Sequence, residues 1–108
     1  MNLTKILNGI DNLKAKGNLD IEIEGIENNS KNVKKDFLFV AIKGFSVDGH
    51  EYIEQAIENG AAAIAVEDIT KIKNIDIPES ITIIVSQNTR EFLAFASCNF
   101  YRKSIKKV

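Results

Sequence analysis

Phe37-Leu38-Phe39-Val40-Ala41-Ile42 is an uninterrupted apolar run of strand length, and this stretch decides the fold. A strand with one face in water alternates apolar and polar residues, whereas a continuous apolar run is typical of a strand buried on both faces. The polar segments on either side, Lys34-Lys35-Asp36 and Lys43-Gly44, predict that the chain turns at both ends of the run. We therefore expect a central strand covered by other elements on both faces.

A helix and two more strands are predicted after the central strand. Asp48 stands three residues before Glu51, a capping-box pattern that opens a helix running to Gly60. Residues 62–66 and 81–85 are predicted to be strands, joined by an irregular surface connection over residues 67–80. The predicted apolar stripe of the helix consists of Tyr52, Ile53, Ala56 and Ile57.

The last predicted helix opens at a second capping pattern, Asn88-Thr89-Arg90-Glu91, and ends near Tyr101. Cys98 falls within its apolar pattern, so we expect a buried structural thiol there. The residues that keep helical spacing are Phe92, Leu93, Phe95, Ala96 and Phe100.

The segment before the central strand predicts one helix and one short strand. Apolar residues recur at helical spacing from Leu3 to Leu13, and Gly17-Asn18 provides the stop. Ile21 and Ile23 then alternate with glutamates, which indicates a short strand with an acidic face in water. Asn28-Asn29-Ser30 follows as a turn, because these side chains hydrogen-bond readily to nearby backbone.

The order of these elements predicts the fold class. A chain of 108 residues with 44% hydrophobic side chains has the size of one domain with one modest core. Strands that alternate with helices predict an α/β protein. We expect a single small domain with a mixed or mostly parallel sheet of about four to five strands and about three helices.

Composition argues against several classes of partner. Fourteen Lys and Arg residues against fifteen Asp and Glu residues give a net charge of −1, so no overall field attracts nucleic acid or an anionic membrane. No apolar run approaches the roughly 18 residues of a membrane span, and residues 1–4 do not resemble a secretion signal. We expect a cytoplasmic protein that binds neither nucleic acid nor membrane.

Candidate ligand-binding residues lie in the loops that follow the predicted strands. In open α/β sheets, ligands collect beyond the carboxyl ends of the strands, which predicts sites at residues 28–32, 43–50 and 86–88. The sequence has neither a G-x-x-x-x-G-K-[ST] nor a G-x-G-x-x-G loop, so we expect no ATP hydrolysis by this chain. His50 is the sole histidine, and we expect it to hydrogen-bond at the surface rather than to catalyse or bind metal. These patterns favour binding over catalysis, with no catalytic residue and no metal site.

Two contiguous stretches carry a family resemblance. Residues 29–44, NSKNVKKDFLFVAIKG, resemble the pattern D-S-R-x-V-x-x-G-x-L-F-V-A-x-x-G of the Mur ligase family, enzymes of bacterial cell-wall synthesis. Residues 48–63, DGHEYIEQAIENGAAA, resemble the same family's D-G-H-x-F-I-x-x-A-I-x-x-G-A-x-A. Three positions depart from the pattern: Asn29 replaces Asp, Lys31 replaces Arg and Asp36 replaces Gly.

The resemblance implies a function for a longer protein. The chain is similar to the family's N-terminal, UDP-binding domain, and Phe100-Tyr101 resembles the member that adds a diamino acid to UDP-N-acetylmuramoyl-L-alanyl-D-glutamate. That enzyme is an ATP-dependent ligase that uses ATP and magnesium on a central domain. We expect residues 1–108 to need no cofactor, to be inactive alone, and to pack against that central domain, which this chain lacks.

The resemblance also implies the binding residues. Ser30 matches the family serine that contacts the UDP portion of the substrate, and Asn28 lies at another contact position two residues earlier. Phe45, Ser46 and Val47 match the loop beside the nucleotide, and the Phe45 ring either covers the uracil or packs under the loop. Two alternatives remain for the whole chain: the D-alanyl-D-alanine-adding ligase of the same family, and a free-standing nucleotide-binding or interaction module. The amine that is added, whether meso-diaminopimelate or lysine, is not encoded in these residues.

Overall fold

Five short strands and three α-helices form the domain in a computed structural model, which describes residues 1–44 and 46–105, with side chains up to residue 101. The helices are α1 (Leu3–Ile6), α2 (Ile53–Glu58) and α3 (Thr89–Ile105). Short 3₁₀ helices lie at Ser30–Asn32, Gly49–Tyr52 and Ile69–Ile72. The strands are β1 (Lys14–Lys16), β2 (Gly25–Glu27), β3 (Phe37–Val40), β4 (Ala63–Val66) and β5 (Thr82–Val85).

The strands form one sheet in the order β1-β5-β4-β3-β2. Neighbouring strands from β2 to β5 run parallel, and only β1 at the edge runs antiparallel, against β5. Parallel strands need connections that cross a face of the sheet, and the connections that contain α2 and the Ile69–Ile72 turn pack on one face. Helices α1 and α3 pack on the other face, so the sheet is covered on both. The predicted α/β domain with a mostly parallel sheet is confirmed.

The apolar run that includes β3 supplies both faces of the sheet. Leu38 and Val40 lie in one core, with Phe92 and Ala96 of α3. Phe39 lies in the other core, with Ile53 and Ala56 of α2. Leu38, Phe39 and Val40 are fully buried, as expected for a strand covered on both faces. The prediction of a central strand is therefore confirmed, although Ile57, predicted in the buried apolar stripe of the helix, is only partly buried.

The predicted first helix and first strand are both displaced. Helix α1 ends at Ile6, because left-handed residues at Gly9 and Asn12 turn the chain towards β1. The apolar residues assigned to the rest of the helix pack against the core from this irregular segment instead. The strand predicted at residues 21–24 lies at Gly25–Glu27, where Gly25 pairs with Phe37. A Cβ atom on Gly25 would lie 2.5 Å from the end of the Phe37 ring, so a larger residue there would require that ring to move.

Three details of the later helices also differ from prediction. The segment after Asp48 begins as a 3₁₀ helix, and Tyr52 is exposed rather than part of the buried stripe of α2. Helix α3 continues past Tyr101 to Ile105. Cys98 is exposed, because α3 packs on the sheet along the face that carries Phe92 and Ala96. Helical spacing alone did not distinguish the face of α3 that packs on the sheet from the exposed face that carries Cys98.

Candidate functional site

A cleft of about 460 Å³ lies beyond the carboxyl ends of β2 and β3. Because these strands are parallel, the segments that follow them leave the sheet at the same edge, where α/β proteins bind ligands. Two of the three predicted ligand loops meet in this cleft, together with the first turn of α3. Its lining residues are Asn28, Asn29, Ser30, Lys31, Ile42, Gly44, Val47, Gly49, Tyr52 and Arg90.

Ser30 is held in the cleft wall by α2. It opens the 3₁₀ helix Ser30–Asn32, which Asn29 caps by accepting a hydrogen bond from Lys31 N at 3.0 Å. The Ser30 hydroxyl donates to Gln55 Oε1, and Asn59 Nδ2 donates to the Ser30 carbonyl at 2.9 Å. A hydroxyl that donates one hydrogen bond keeps lone pairs that accept others. Ser30 therefore has both a structural contact and remaining capacity for a ligand.

The second wall is a loop whose described residues, 42–44 and 46–49, bring its two ends together in a narrow, hairpin-like arrangement. Gly49 N donates to Ile42 O at 2.8 Å, and Gly44 N donates to Val47 O at 2.7 Å. Lys43 and Asp48 form an isolated antiparallel bridge between these two contacts. A Cβ atom on Gly49 would lie 2.6 Å from Ile42 N, so the returning chain can approach only as glycine. The two limbs of the loop therefore lie close together at the cleft.

The predicted residues of this loop divide into three cases. Val47 lines the cleft and is half exposed. Ser46 is exposed and is not among the described lining residues. Phe45 lies outside the residues that the structure describes. Asn28, predicted two residues before Ser30, is exposed and lines the cleft.

Two cleft residues, Tyr52 and Arg90, were missed from sequence. Arg90 Nη2 donates to Lys43 O at 3.3 Å, which joins the first turn of α3 to the second wall. Lys31, noted only as a departure from the family pattern, adds a second cation to the lining. Arg90 lies two residues after the Asn88 cap, which was the available signal, but its approach to Lys43 depends on the position of α3 relative to β3.

His50 was predicted at the surface, but it is buried, with 4% exposure. Its ring Nδ1 lies 2.7 Å from Asp48 Oδ1, and its Nε2 accepts a hydrogen bond from Glu67 N at 3.1 Å. The burial follows from the 3₁₀ helix, which turns the His50 side chain under the cleft loop towards the end of β4. His50 is therefore a hydrogen-bonding residue, as predicted, but of the interior.

The third predicted ligand loop lies in a different cleft. Residues 86–88 line a cavity of about 450 Å³ with the irregular segment 9–12 and with Glu91, Phe92 and Phe95 of α3.

Within residues 1–44 and 46–105, no group of three His, Cys, Asp or Glu side chains is placed to hold a metal ion. No helix in that part of the chain is long and apolar enough to cross a membrane.

Comparison with known proteins decides the family. A protein-family model described as "Mur ligase family, catalytic domain" matches residues 22–101 of the sequence. These residues include β2 to β5 and both cleft walls. The chain belongs to the Mur ligase family. The resemblance inferred from residues 29–44 and 48–63 is confirmed.

Curated Mur ligases that are similar to this chain carry one activity in their names. A protein of Clostridioides difficile (strain 630) named UDP-N-acetylmuramoyl-L-alanyl-D-glutamate--2,6-diaminopimelate ligase is 40% identical over 99% of this chain. A protein of the same name from Bacillus licheniformis is 40% identical over the whole chain. This chain spans 21% of each relative, about a fifth of their length.

Solved Mur ligase structures share the fold. Crystal structure II of MurF from Acinetobacter baumannii aligns with a TM-score of 0.64 at 20% identity, over 94% of this chain and 21% of that one. MurF from Thermotoga maritima, crystallised in complex with ADP, aligns with a TM-score of 0.55 at 32% identity, over 68% of this chain and 16% of that one. The α/β architecture is therefore that of a domain within larger ligases.

Proposed function

We propose that this chain is the N-terminal, UDP-binding domain of an ATP-dependent ligase that adds a diamino acid to UDP-N-acetylmuramoyl-L-alanyl-D-glutamate during peptidoglycan synthesis. The observation that carries the proposal is the cleft in which Asn28, Ser30 and Val47, identified from the family pattern, come together. The names of relatives at 40% identity support the choice of reaction.

The cleft chemistry suits a nucleoside diphosphate. Lys31 and Arg90 are exposed cations in the lining, and phosphate oxygens accept charge-assisted hydrogen bonds from such groups. Ile42, Val47 and Tyr52 supply apolar surface for a base. Lys31 stands where the family prefers arginine, so its phosphate contact is that of a point charge rather than a bidentate fork.

The proposal divides labour between this domain and the rest of the enzyme. The chain has no phosphate loop, and its described residues hold no metal-ligand cluster, so ATP, magnesium and the reacting groups belong to other domains. There the D-glutamate carboxylate becomes an acyl phosphate, which the amine attacks. Binding the distant UDP end positions the carboxylate for that reaction. The domain would pack against the central domain of a cytoplasmic enzyme.

The second candidate is the corresponding domain of the D-alanyl-D-alanine-adding ligase. The MurF structures favour it, since they share this fold. At 20% to 32% identity the MurF structures are more distant in sequence than the diaminopimelate-adding relatives at 40%. A free-standing nucleotide-binding or interaction module is the alternative of another class.

Titration of residues 1–108 with UDP, followed by backbone amide shifts, tests the proposed site. We expect a dissociation constant around the millimolar level, about −4 kcal/mol, because one domain provides only part of the contacts. Shifts should cluster at residues 28–31, 42–49 and 90. Lys31→Ala and Arg90→Ala should each weaken UDP binding about threefold to tenfold and leave uridine binding unchanged.

Lys14→Ala on the exposed edge strand β1 is the matched control, and its affinity for UDP should equal that of the wild type. Ser30→Ala should weaken UDP binding about twofold to twelvefold, and the loss of its contact to Gln55 should also lower stability. Shifts confined to the second cleft, or none at several millimolar UDP, would refute the proposed site.

A further inference from the structure

Two sides of the cleft are joined beneath it by a chain of partly buried hydrogen bonds: the loop wall, and the first turn of α3, which carries Arg90 and forms an α3 wall. His50 follows Gly49 of the loop wall, and Thr89 precedes Arg90 of the α3 wall. His50 and Thr89 each form a hydrogen bond with Glu67, the first residue after β4. Glu67 therefore lies between the two walls and contacts each of them.

The contacts of His50 define its ring tautomer. Nε2 lies 3.1 Å from Glu67 N, and a backbone N–H can only donate, so Nε2 must present its lone pair. The proton of the neutral ring is then on Nδ1, which donates to Asp48 Oδ1 at 2.7 Å. Both ring nitrogens are occupied, and the ring orientation is fixed.

Asp48 holds the other side of the ring. Its Oδ1 also accepts from His50 N at 3.0 Å, and its Oδ2 accepts from Lys71 Nζ at 2.6 Å. Burial alone would raise the pKa of Asp48, but the hydrogen bonds from Lys71 and His50 outweigh it and hold the pKa well below its usual range. The carboxylate therefore stays ionised at neutral pH and keeps accepting from the ring.

Glu67 carries the connection onward to α3. Its Oε2 accepts from Thr89 N and from Thr89 Oγ1, each at 2.9 Å. The negative charge of a carboxylate at this position is also stabilised by the positive, N-terminal end of the α3 dipole. Thr89 is fully buried, so its hydroxyl has little access to water as an alternative partner.

We propose that His50 is a positioning residue: through Glu67 and Thr89 it fixes the spacing between the loop wall, residues 42–49, and the Arg90 wall of the nucleotide cleft. The inference rests on the proposed function, since the cleft is the UDP site proposed above. None of His50, Glu67 and Thr89 is among the described residues that line the cleft. Changes to them alter cleft geometry without removing a ligand contact.

Two pairs of variants of residues 1–108 separate positioning from stability. Thr89→Val removes one hydroxyl from a buried site, and Thr82→Val does the same at a residue with 1% exposure whose hydroxyl binds Asn18 O at 2.6 Å, outside the network. His50→Gln retains an acceptor for Glu67 N, whereas His50→Met retains only bulk. Urea unfolding, UDP titration and amide hydrogen exchange at Gly44 and Gly49 are measured for each.

We expect both threonine variants to lower stability similarly, while only Thr89→Val weakens UDP binding, about threefold, and speeds exchange at Gly44 and Gly49. His50→Met should weaken UDP binding about fivefold to tenfold, and His50→Gln should restore most of it. Equal affinity and exchange in the two threonine variants would overturn the positioning role while the UDP site stands. If wild-type protein does not bind UDP, the proposed function fails, and hydrogen exchange alone still decides whether the network holds the loop.

Discussion

At the scale of single residues, conformation explains a departure from the family pattern. Asp36 has a φ of 66° at the position where the family prefers glycine. Residues with a Cβ atom adopt this left-handed conformation at a cost of about 1–2 kcal/mol, which aspartate tolerates better than most. The chain therefore retains the family's turn with a less suitable residue. The backbone contact from Asp36 N to Gly60 O, at 2.9 Å, holds the turn against the end of α2.

Asp36→Gly is expected to stabilise the domain by about 0.5 kcal/mol, because relief of the left-handed strain exceeds the added entropy of the unfolded chain. Asp76→Gly is the matched control, at an exposed loop position without positive φ, and should lose about 0.5–1 kcal/mol. Urea unfolding gives both values. Equal losses in the two variants would contradict the strain assigned to Asp36.

At the scale of elements, the loop wall makes contacts on two sides. It lines the cleft on one side and places His50 beneath it on the other. Its shape depends on two glycines with different surroundings. A Cβ atom on Gly49 would meet the Ile42 backbone at 2.6 Å, whereas one on Gly44 would lie 3.4 Å from Val47 O.

Gly49→Ala is expected to cost about 1–3 kcal/mol, since backbone atoms cannot rotate away from the added methyl group. It should also weaken UDP binding, because the loop wall must shift. Gly44→Ala, in the same loop, should stay within about 0.5 kcal/mol of the wild type. Urea unfolding and UDP titration measure both effects, and similar behaviour of the two variants would show that the loop is not closely packed at Gly49.

At the scale of the whole molecule, the stability of the domain comes from two hydrophobic cores, one on each face of the sheet. The strand β3 supplies both of them, with Leu38 and Val40 on one face and Phe39 on the other. A domain of this size has a net stability of only about 5–15 kcal/mol. Loss of one large side chain from either core therefore removes a substantial part of the total.

Phe39→Ala is expected to cost about 3–5 kcal/mol, the combined loss of apolar burial and of packing around the cavity. Phe95→Ala, at a side chain that is 52% exposed on α3, provides the control and should change stability by no more than about 0.5 kcal/mol. Urea unfolding distinguishes the two. An unchanged unfolding curve for Phe39→Ala would be incompatible with the central position of β3.

The sequence by itself determined the α/β class, the central strand, the helix caps at Asp48 and Asn88, and the family. The strand was predicted over residues 37–42 and is observed at Phe37–Val40. Each of these features is a local pattern, since burial on two faces, a capping side chain and a contiguous motif all show in neighbouring residues. It also selected Asn28, Ser30 and Val47, which the fold brings into one cleft. Their role in binding UDP stays a prediction.

Only the tertiary structure decided which distant segments meet. Leu7, Ile10 and Leu13 have the spacing of a helix in the sequence. In the structure they pack against the core from an irregular segment that leads into β1. Cys98 keeps helical spacing, yet its side is exposed because the sheet meets a different face of α3. His50 and Arg90 find partners at Glu67 and Lys43, 17 and 47 residues away. Periodicity predicts which type of element forms, whereas the face that is buried and the partner that each residue meets depend on how strands pair and helices pack across the whole chain.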